Sequence, residues 1–166
     1  YNPHIAKGRD YKMAKSCFFI GHRDANDEIY PSLLAEVEHH ATEYGVRDFF
    51  VGRYGSFDRM AAQAVKEVKK RHPEVCLMLV LPYHPAIRPI ETPKDFDGTY
   101  YPWEDERIPK RLAIIRTNQR MVDACDYLIS YARHFLGGSG QIVEYARKRE
   151  TKRLIHVTNL APHTDL

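Results

Sequence analysis

The sequence predicts an α/β fold, a doubly wound parallel sheet of about five strands with helices on both faces. Three observations support this prediction. Short apolar runs alternate with longer runs whose apolar residues recur at helical spacing. The apolar runs are continuous, which is typical of strands buried on both faces. Glycines or a proline follow several of these runs, at the positions where the strands would end.

Composition limits the class of protein. The chain has 166 residues, of which 43% are hydrophobic and 28% charged, and this fits a single globular domain, placed at residues 13–166. Residues 1–12 are polar and unpatterned, so we expect an expression leader or a loose N-terminal arm there. No apolar run approaches the ~20 residues that span a bilayer, so we expect no membrane contact.

The cysteines and histidines indicate neither disulfides nor a metal site. The three cysteines are scattered and lack C-x-x-C spacing, which favours buried thiols in a reducing compartment, the cytoplasm. No His or Cys spacing is typical of zinc, so no metal is expected. Since the sequence lacks G-x-G-x-x-G after its first strand and lacks a Walker A motif, no NAD-type cofactor is expected either.

The first half of the chain predicts three strands and two helices. They are Cys17–Ile20, the helix Pro31–Tyr44, Asp48–Gly52, the helix Ser56–Arg71 and Val75–Leu81. Pro31 suits a first helical turn, and Ser56 is a plausible N-cap for the second helix.

The second half begins with a long irregular segment. Tyr83–Pro109 is rich in proline and aromatic residues, which favours an ordered lid over disorder. It is followed by a helix, a strand, a glycine-rich turn with a helix, and a last strand: Lys110–Ala124, Asp126–Tyr131, Ile142–Glu150 and Arg153–Val157. Right-handed crossovers between parallel strands then make the fold Rossmann-like.

Ligands in such folds bind beyond the carboxyl ends of the strands. We therefore expect a cleft where those ends meet. The candidate ligand-binding residues there, together with two from the helix after the lid, are Gly21, His22, Arg23, Gly52, Gly55, Phe57, Asp58, Pro82, Tyr83, Arg116 and Asn118. His22 and Arg23 would contact phosphate or base, or would be ordinary surface residues. Asp58 would bind a ribose hydroxyl, or would only complement a helix dipole.

The turn Gly137–Gly138–Ser139–Gly140 is the strongest candidate for binding an anion. It joins a predicted strand to a predicted helix, an arrangement that presents free backbone N–H groups at the positive helix end. The glycines would let a ligand approach the backbone closely. The alternative is a flexible surface loop with a helix cap.

Several stretches together resemble the SLOG superfamily, the Rossmann-like group that includes the Smf/DprA and Lonely Guy proteins, and most closely its YpsA-like branch. The stretches, found between Lys15 and Asn159, are Phe19-Ile20-Gly21-His22-Arg23, Val51-Gly52-x-x-Gly55-x-Phe57-Asp58-x-Met60-Ala61, Leu79-Val80-Leu81-Pro82-Tyr83 and Asn118-x-x-Met121-Val122-Asp123-x-x-Asp126-x-Leu128-Ile129.

The resemblance implies a nucleotide-processing activity. Lonely Guy enzymes hydrolyse the N-glycosidic bond of nucleoside monophosphates and carry P-G-G-x-G-T-x-x-E, with an arginine on the preceding helix. Glu144 matches their catalytic glutamate, whereas Leu136 and Gln141 replace the proline and threonine. The helix arginine falls in register at Thr117, and among its neighbours Arg120 is taken as the catalytic candidate.

The predicted function is therefore binding of a nucleotide or ADP-ribose-like small molecule, with N-glycosidic hydrolysis of the phosphoribohydrolase type as the activity that the resemblance implies. The alternative is a nucleotide sensor without turnover. We do not expect nucleic acid as a partner, because the net charge is only +3 and no basic cluster is present. A homodimer is left open.

Overall fold

The computed structural model describes residues 14–103, 108–133 and 137–162, so the expected leader at residues 1–12 lies outside the described residues. Within those ranges the chain forms one sheet of six strands in the order β4-β3-β2-β1-β5-β6. Every neighbouring pair is parallel. The strands are β1 Lys15–Gly21, β2 Val46–Val51, β3 Cys76–Val80, β4 Gly98–Tyr100, β5 Tyr127–Tyr131 and β6 His156–Asn159.

Helices cover both faces of this sheet, as predicted. They are α1 Tyr30–Thr42, α2 Ser56–Arg71, α3 Lys110–Ala124 and α4 Gly138–Glu150. The first two pack on one face, and the last two on the other. Successive strand residues point to opposite faces, so Phe19 joins the core under α1 and α2 while Phe18 joins the core under α3 and α4. The predicted doubly wound, Rossmann-like fold is confirmed.

The sheet order fixes where a cleft opens. From β1 the chain proceeds outward through β2, β3 and β4, and it then returns to place β5 on the other side of β1. The helix that follows β1 and the helix that follows β5 lie on opposite faces of the sheet. Such a switch point leaves a crevice at the carboxyl ends of the two central strands.

Strand β4 is the main difference from the sequence-based expectation. It lies inside Tyr83–Pro109, which was predicted as an irregular lid. The Asp97 carboxylate accepts a hydrogen bond from the Leu77 amide at 2.7 Å, and the Asp97 amide donates to the Leu77 carbonyl at 2.8 Å. Tyr100 is buried beside Phe50, with ring centroids 5.4 Å apart. Tertiary contacts therefore make this short edge strand.

Two of the other differences from the predicted elements have a clear physical reason. Gly55, not Ser56, is the N-cap of α2. The Ser56 hydroxyl instead donates to the Ala25 carbonyl at 2.6 Å, so a tertiary bond replaces the expected local cap. The last strand begins at His156 rather than Arg153, because residues 151–154 form a turn in which Arg153 has a φ of 58°.

Candidate functional site

A cleft lies at the carboxyl ends of β1, β2 and β3 and opens between them and the N-termini of α2 and α4. Its cavity volume is about 110 Å³. The predicted ligand-binding residues that line it are Gly21, Arg23, Gly52, Gly55, Asp58, Pro82, Asn118, Gly138 and Ser139. Residues from five separate stretches of the sequence therefore meet at one crevice.

Two glycines are required by close packing at the mouth of this cleft. A Cβ atom on Gly55 would lie 2.4 Å from the Arg23 Cα, and one on Gly21 would lie 2.3 Å from the Phe57 Cγ. Phe57, predicted to bind the ligand, is fully buried and packs against Gly21. Its position makes it a support for the end of β1, outside the lining of the cleft.

The loop after β1 is held against the start of α2. The Ser56 amide donates to the Arg23 carbonyl at 2.9 Å, and the Ser56 hydroxyl holds the Ala25 carbonyl as described above. The exposed Arg23 guanidinium lies 5.9 Å from the centroid of the Tyr54 ring. The backbone hydrogen bonds hold this rim of the cleft in place, and the Arg23 guanidinium is the cation on it.

Asp58 is the titratable group that the cleft perturbs most. Its Oδ2 accepts a hydrogen bond from the Tyr54 amide at 2.9 Å, and a Cβ on Gly52 would lie 3.0 Å from the same oxygen. Burial raises the pKa of this carboxyl from 3.8 to about 6, against the opposing effects of the Tyr54 amide and the Arg23 charge. A carboxylate held in such a place is well suited to accept hydrogen bonds from ligand hydroxyls.

The N-terminus of α4 forms the opposite side of the cleft. Gly137 has a φ of 110°, which favours glycine, and no side chain caps the helix among the described residues. Gly138 and Ser139 line the cleft, and a Cβ on Gly138 would meet open space. Gly140 is buried in the first turn. Leu136, one of the two departures from the Lonely Guy motif, lies outside the described residues.

Some predicted ligand-binding residues lie elsewhere. His22 Nε2 accepts a hydrogen bond from the Arg133 amide at 2.7 Å, and its ring packs edge-on against Tyr131, so it joins the ends of β1 and β5. Tyr83 is half-buried beneath the guanidinium of Arg88, which lies 4.2 Å from the ring centroid.

The two proposed catalytic residues are not brought together in the cleft. The Arg120 guanidinium lies 5.3 Å from the centroid of the Trp103 ring, and Arg116 is exposed on the same helix. The Glu144 side chain is 52% exposed, and its Oε1 lies 4.0 Å from Lys148 Nζ. None of the three lines the cleft.

Tyr54 and Thr117 line the cleft but were not among the predicted site residues. Tyr54 lies within the Gly52–Gly55 turn, which was expected at the cleft, but only the two glycines of that turn were predicted to bind the ligand. Thr117 is 1% exposed, and its hydroxyl accepts a hydrogen bond from Trp103 Nε1 at 3.2 Å. The signal for Thr117 was present, because it lies between the buried Ala113 and Met121 at four-residue spacing on the inner face of α3.

The described residues offer no cluster of three or more His, Cys, Asp or Glu side chains that could hold a metal ion. No helix in the same ranges is long and apolar enough to cross a membrane.

Comparison of the sequence with models of known families and with curated proteins finds no match. The fold is similar to that of DNA processing protein A (DprA) from Streptococcus pneumoniae, with a TM-score of 0.60, 14% identity, and coverage of 93% of this chain and 52% of that one. DprA from Helicobacter pylori, described for its single-stranded DNA binding mode, gives a TM-score of 0.56 and 14% identity, with 84% and 63% covered. The Moco carrier protein of Chlamydomonas rheinhardtii gives 0.50 and 13%, with 90% and 78% covered.

These similarities establish the fold and correct one expectation. The chain spans about half to two thirds of the two DprA chains. Two of these three structures are DprA proteins, and at 14% identity their likeness to this chain shows the fold alone. The expectation that nucleic acid is not a partner was wrong, because DprA from H. pylori, which is similar to this chain in fold, is described for its single-stranded DNA binding mode. A modest net charge therefore does not exclude such a partner.

Proposed function

We propose that this chain binds a phosphate-bearing nucleotide in the cleft at the carboxyl ends of its central strands. One observation carries the proposal: the uncapped N-terminus of α4 and the half-buried carboxylate of Asp58 line the same crevice. A helix N-terminus favours an anion, and a carboxylate favours hydroxyl donors. A nucleotide has both groups, a phosphate and a sugar, within one small molecule.

The remaining lining supplies a surface for a base. Ile20, Val80 and Ile114 contribute apolar side chains between the two polar ends. Small-molecule sites typically combine such an apolar lining with a few convergent polar groups. In this arrangement the phosphate lies at Gly138 and Ser139, the sugar lies beside Asp58, and the base packs on the apolar residues.

We also propose that the chain belongs to the YpsA-like branch of the SLOG superfamily. The function proposed for it is binding rather than turnover. A residue that attacks or stabilises an N-glycosidic bond has to reach the reacting atoms. Glu144 is exposed, close to Lys148, and outside the cleft lining. N-glycosidic hydrolysis therefore stays a prediction from the resemblance alone, and the sensor-like alternative has the better geometric support.

Calorimetric titration with the common nucleoside 5′-monophosphates tests the proposal. Gly138→Val should weaken or abolish binding, because a β-branched side chain in the open space at Gly138 would obstruct the approach of a phosphate to the backbone. Gln141→Val is the matched control, since Gln141 is an exposed residue of the same helix outside the lining. Equal affinity of both variants and the wild type, or no binding of any monophosphate to the wild type, would contradict the proposal.

Single-stranded DNA is a second candidate ligand. The DNA-binding H. pylori neighbour favours it, as does the pairing of the exposed cation Arg23 with the aromatic Tyr54 at the rim of the cleft. A short oligonucleotide that competes with a bound monophosphate would place both in one site. An oligonucleotide that binds without competition would point to a separate surface.

A further inference from the structure

A second depression adjoins the cleft and has no role in the function proposed above. We call it the basic groove. It runs along α2 beside the segment that precedes β4, has a cavity volume of about 840 Å³, and is lined by Tyr30, Arg53, Arg59, Lys66, Pro93 and Phe96 among others. Its floor includes the buried side chains of Met60, Ala62 and Leu79. The groove is thus large enough for a ligand part of its own.

The cleft and the basic groove share one wall. Gly52, Gly55 and Asp58 line both of them. Gly52 and Gly55 carry no side chains, and Asp58 is held down by its hydrogen bond to the Tyr54 amide. A molecule seated in the cleft can therefore continue past these shared residues into the groove.

The groove presents cations that are free to meet an anion. Arg53 and Arg59 are exposed, and Lys66 is half-buried on the same side of α2. None of these three forms an ion pair with any residue in the described ranges, whereas Lys69, Lys70 and Arg71 at the end of α2 each pair with a carboxylate. Asp27 and Asp58 also line the groove, so the cations outnumber the carboxylates there.

Aromatic side chains lie beside these cations. The Lys66 ammonium lies 5.3 Å from the centroid of the half-buried Phe96 ring, and Tyr30 lines the same groove. Sites that bind single nucleic-acid strands combine cations along the backbone with aromatic faces on which bases stack. An aliphatic or purely anionic ligand would use only one of these two features.

We infer that the site takes a ligand of two linked nucleotide units, with the first unit in the cleft and the second in the basic groove. This inference rests on the proposed function and names the length of its ligand. The linking phosphate crosses the Gly52–Gly55 turn. Arg59 and Lys66 meet the phosphate charge of the second unit, and Phe96 offers a face to its base.

Calorimetry with nucleoside 5′-monophosphates and with 5′-phosphorylated dinucleotides of the same bases tests the inference. The wild type should bind the better dinucleotides at least about fivefold more tightly than the matching monophosphates, the gain expected from one stacked base. Lys66→Ala, Arg59→Ala and Phe96→Ala should each reduce this gain and leave monophosphate affinity unchanged. Lys70→Ala is the control, because it removes the same charge from the same helix outside the groove.

The outcomes separate this inference from the function on which it rests. If monophosphates bind and dinucleotides gain nothing, the inference fails and the proposed function stands. If neither class binds, both fail. A loss in Lys70→Ala as large as in Lys66→Ala would also overturn the inference, because the gain would then come from overall charge. Arg59 is exposed on α2, so its variant is expected to fold even if Phe96→Ala does not.

Discussion

Replacing Asp58 by asparagine should stabilise the protein at neutral pH while weakening its binding of nucleotide. Asparagine removes the charge, and its side-chain oxygen can still accept the hydrogen bond from the Tyr54 amide, which is 2.9 Å long in the wild type. Burial raises the pKa of Asp58 from 3.8 to about 6, so the folded state resists its ionisation.

The magnitude and its pH window follow from that shift. A group whose pKa is higher in the folded state stabilises the fold below its unfolded pKa, and this stabilisation is lost as the pH rises through the folded pKa. Ionisation of the wild-type carboxyl therefore lowers the free energy of unfolding above pH 6. The pKa shift corresponds to at most about 3 kcal/mol, and we expect about 1 to 3 kcal/mol because the side chain is only half-buried. The advantage of the asparagine variant should shrink as the pH falls from 6 towards 4.

Urea denaturation followed by circular dichroism, at several pH values between 4 and 8, measures this difference directly. Other titrating groups are common to both proteins, so the difference between them isolates Asp58. An Asp58→Asn variant that is less stable at pH 8, or whose advantage does not change with pH, would refute the reasoning. Nucleotide affinity measured on the same samples should fall if Asp58 binds the sugar hydroxyls.

Three further outcomes are expected. Burial lowers the pKa of His40 from 6.5 to about 4, so stability should fall by up to about 3 kcal/mol as the pH drops between those values, and His40→Leu should flatten that slope in denaturant titrations. Gly55→Ala should lower the free energy of unfolding by about 1–3 kcal/mol, and with it the melting temperature, because its methyl group would collide with the Arg23 backbone. The methyl group of Gly138→Ala meets open space, so the melting temperature of that variant should stay near that of the wild type. Glu144→Gln should leave nucleotide affinity unchanged and stability within about 0.5 kcal/mol, as for other exposed charges; a much larger effect on either would show that Glu144 has a role beyond its weak pair with Lys148.

The sequence predicts the strands of the sheet centre well, because their burial on both faces leaves a continuous apolar run. Leu77 to Val80 and Leu128 to Ile129 are of this kind. Strand β4 has no such signal. It is three residues long, begins with Gly98, and depends on the bonds between Asp97 and Leu77, which are 20 positions apart in the chain. Contacts at that separation cannot be deduced from local periodicity.

The candidate site divides along a similar line. Positions such as Gly52 and Gly138 could be placed at the cleft from sequence, because the carboxyl ends of parallel strands meet at one edge. The direction in which each side chain points could not be predicted from sequence. His22 turns to the Arg133 amide, and Arg120 turns to the Trp103 ring, since the neighbours they contact are set by tertiary packing. Glycines were easier to place because their contribution is their backbone.

Amide chemical-shift mapping of isotope-labelled protein, titrated with the nucleoside monophosphate that binds most tightly, tests the central claim most directly. If the cleft holds the phosphate at the start of α4 and the sugar beside Asp58, the largest shifts should fall on the amides of Gly138, Ser139 and Tyr54. The amides near His40, at the opposite end of the sheet, should not move. The claim would be contradicted if binding were saturable but the largest shifts fell on the amides near His40, or if Gly138 and Ser139 showed no shift.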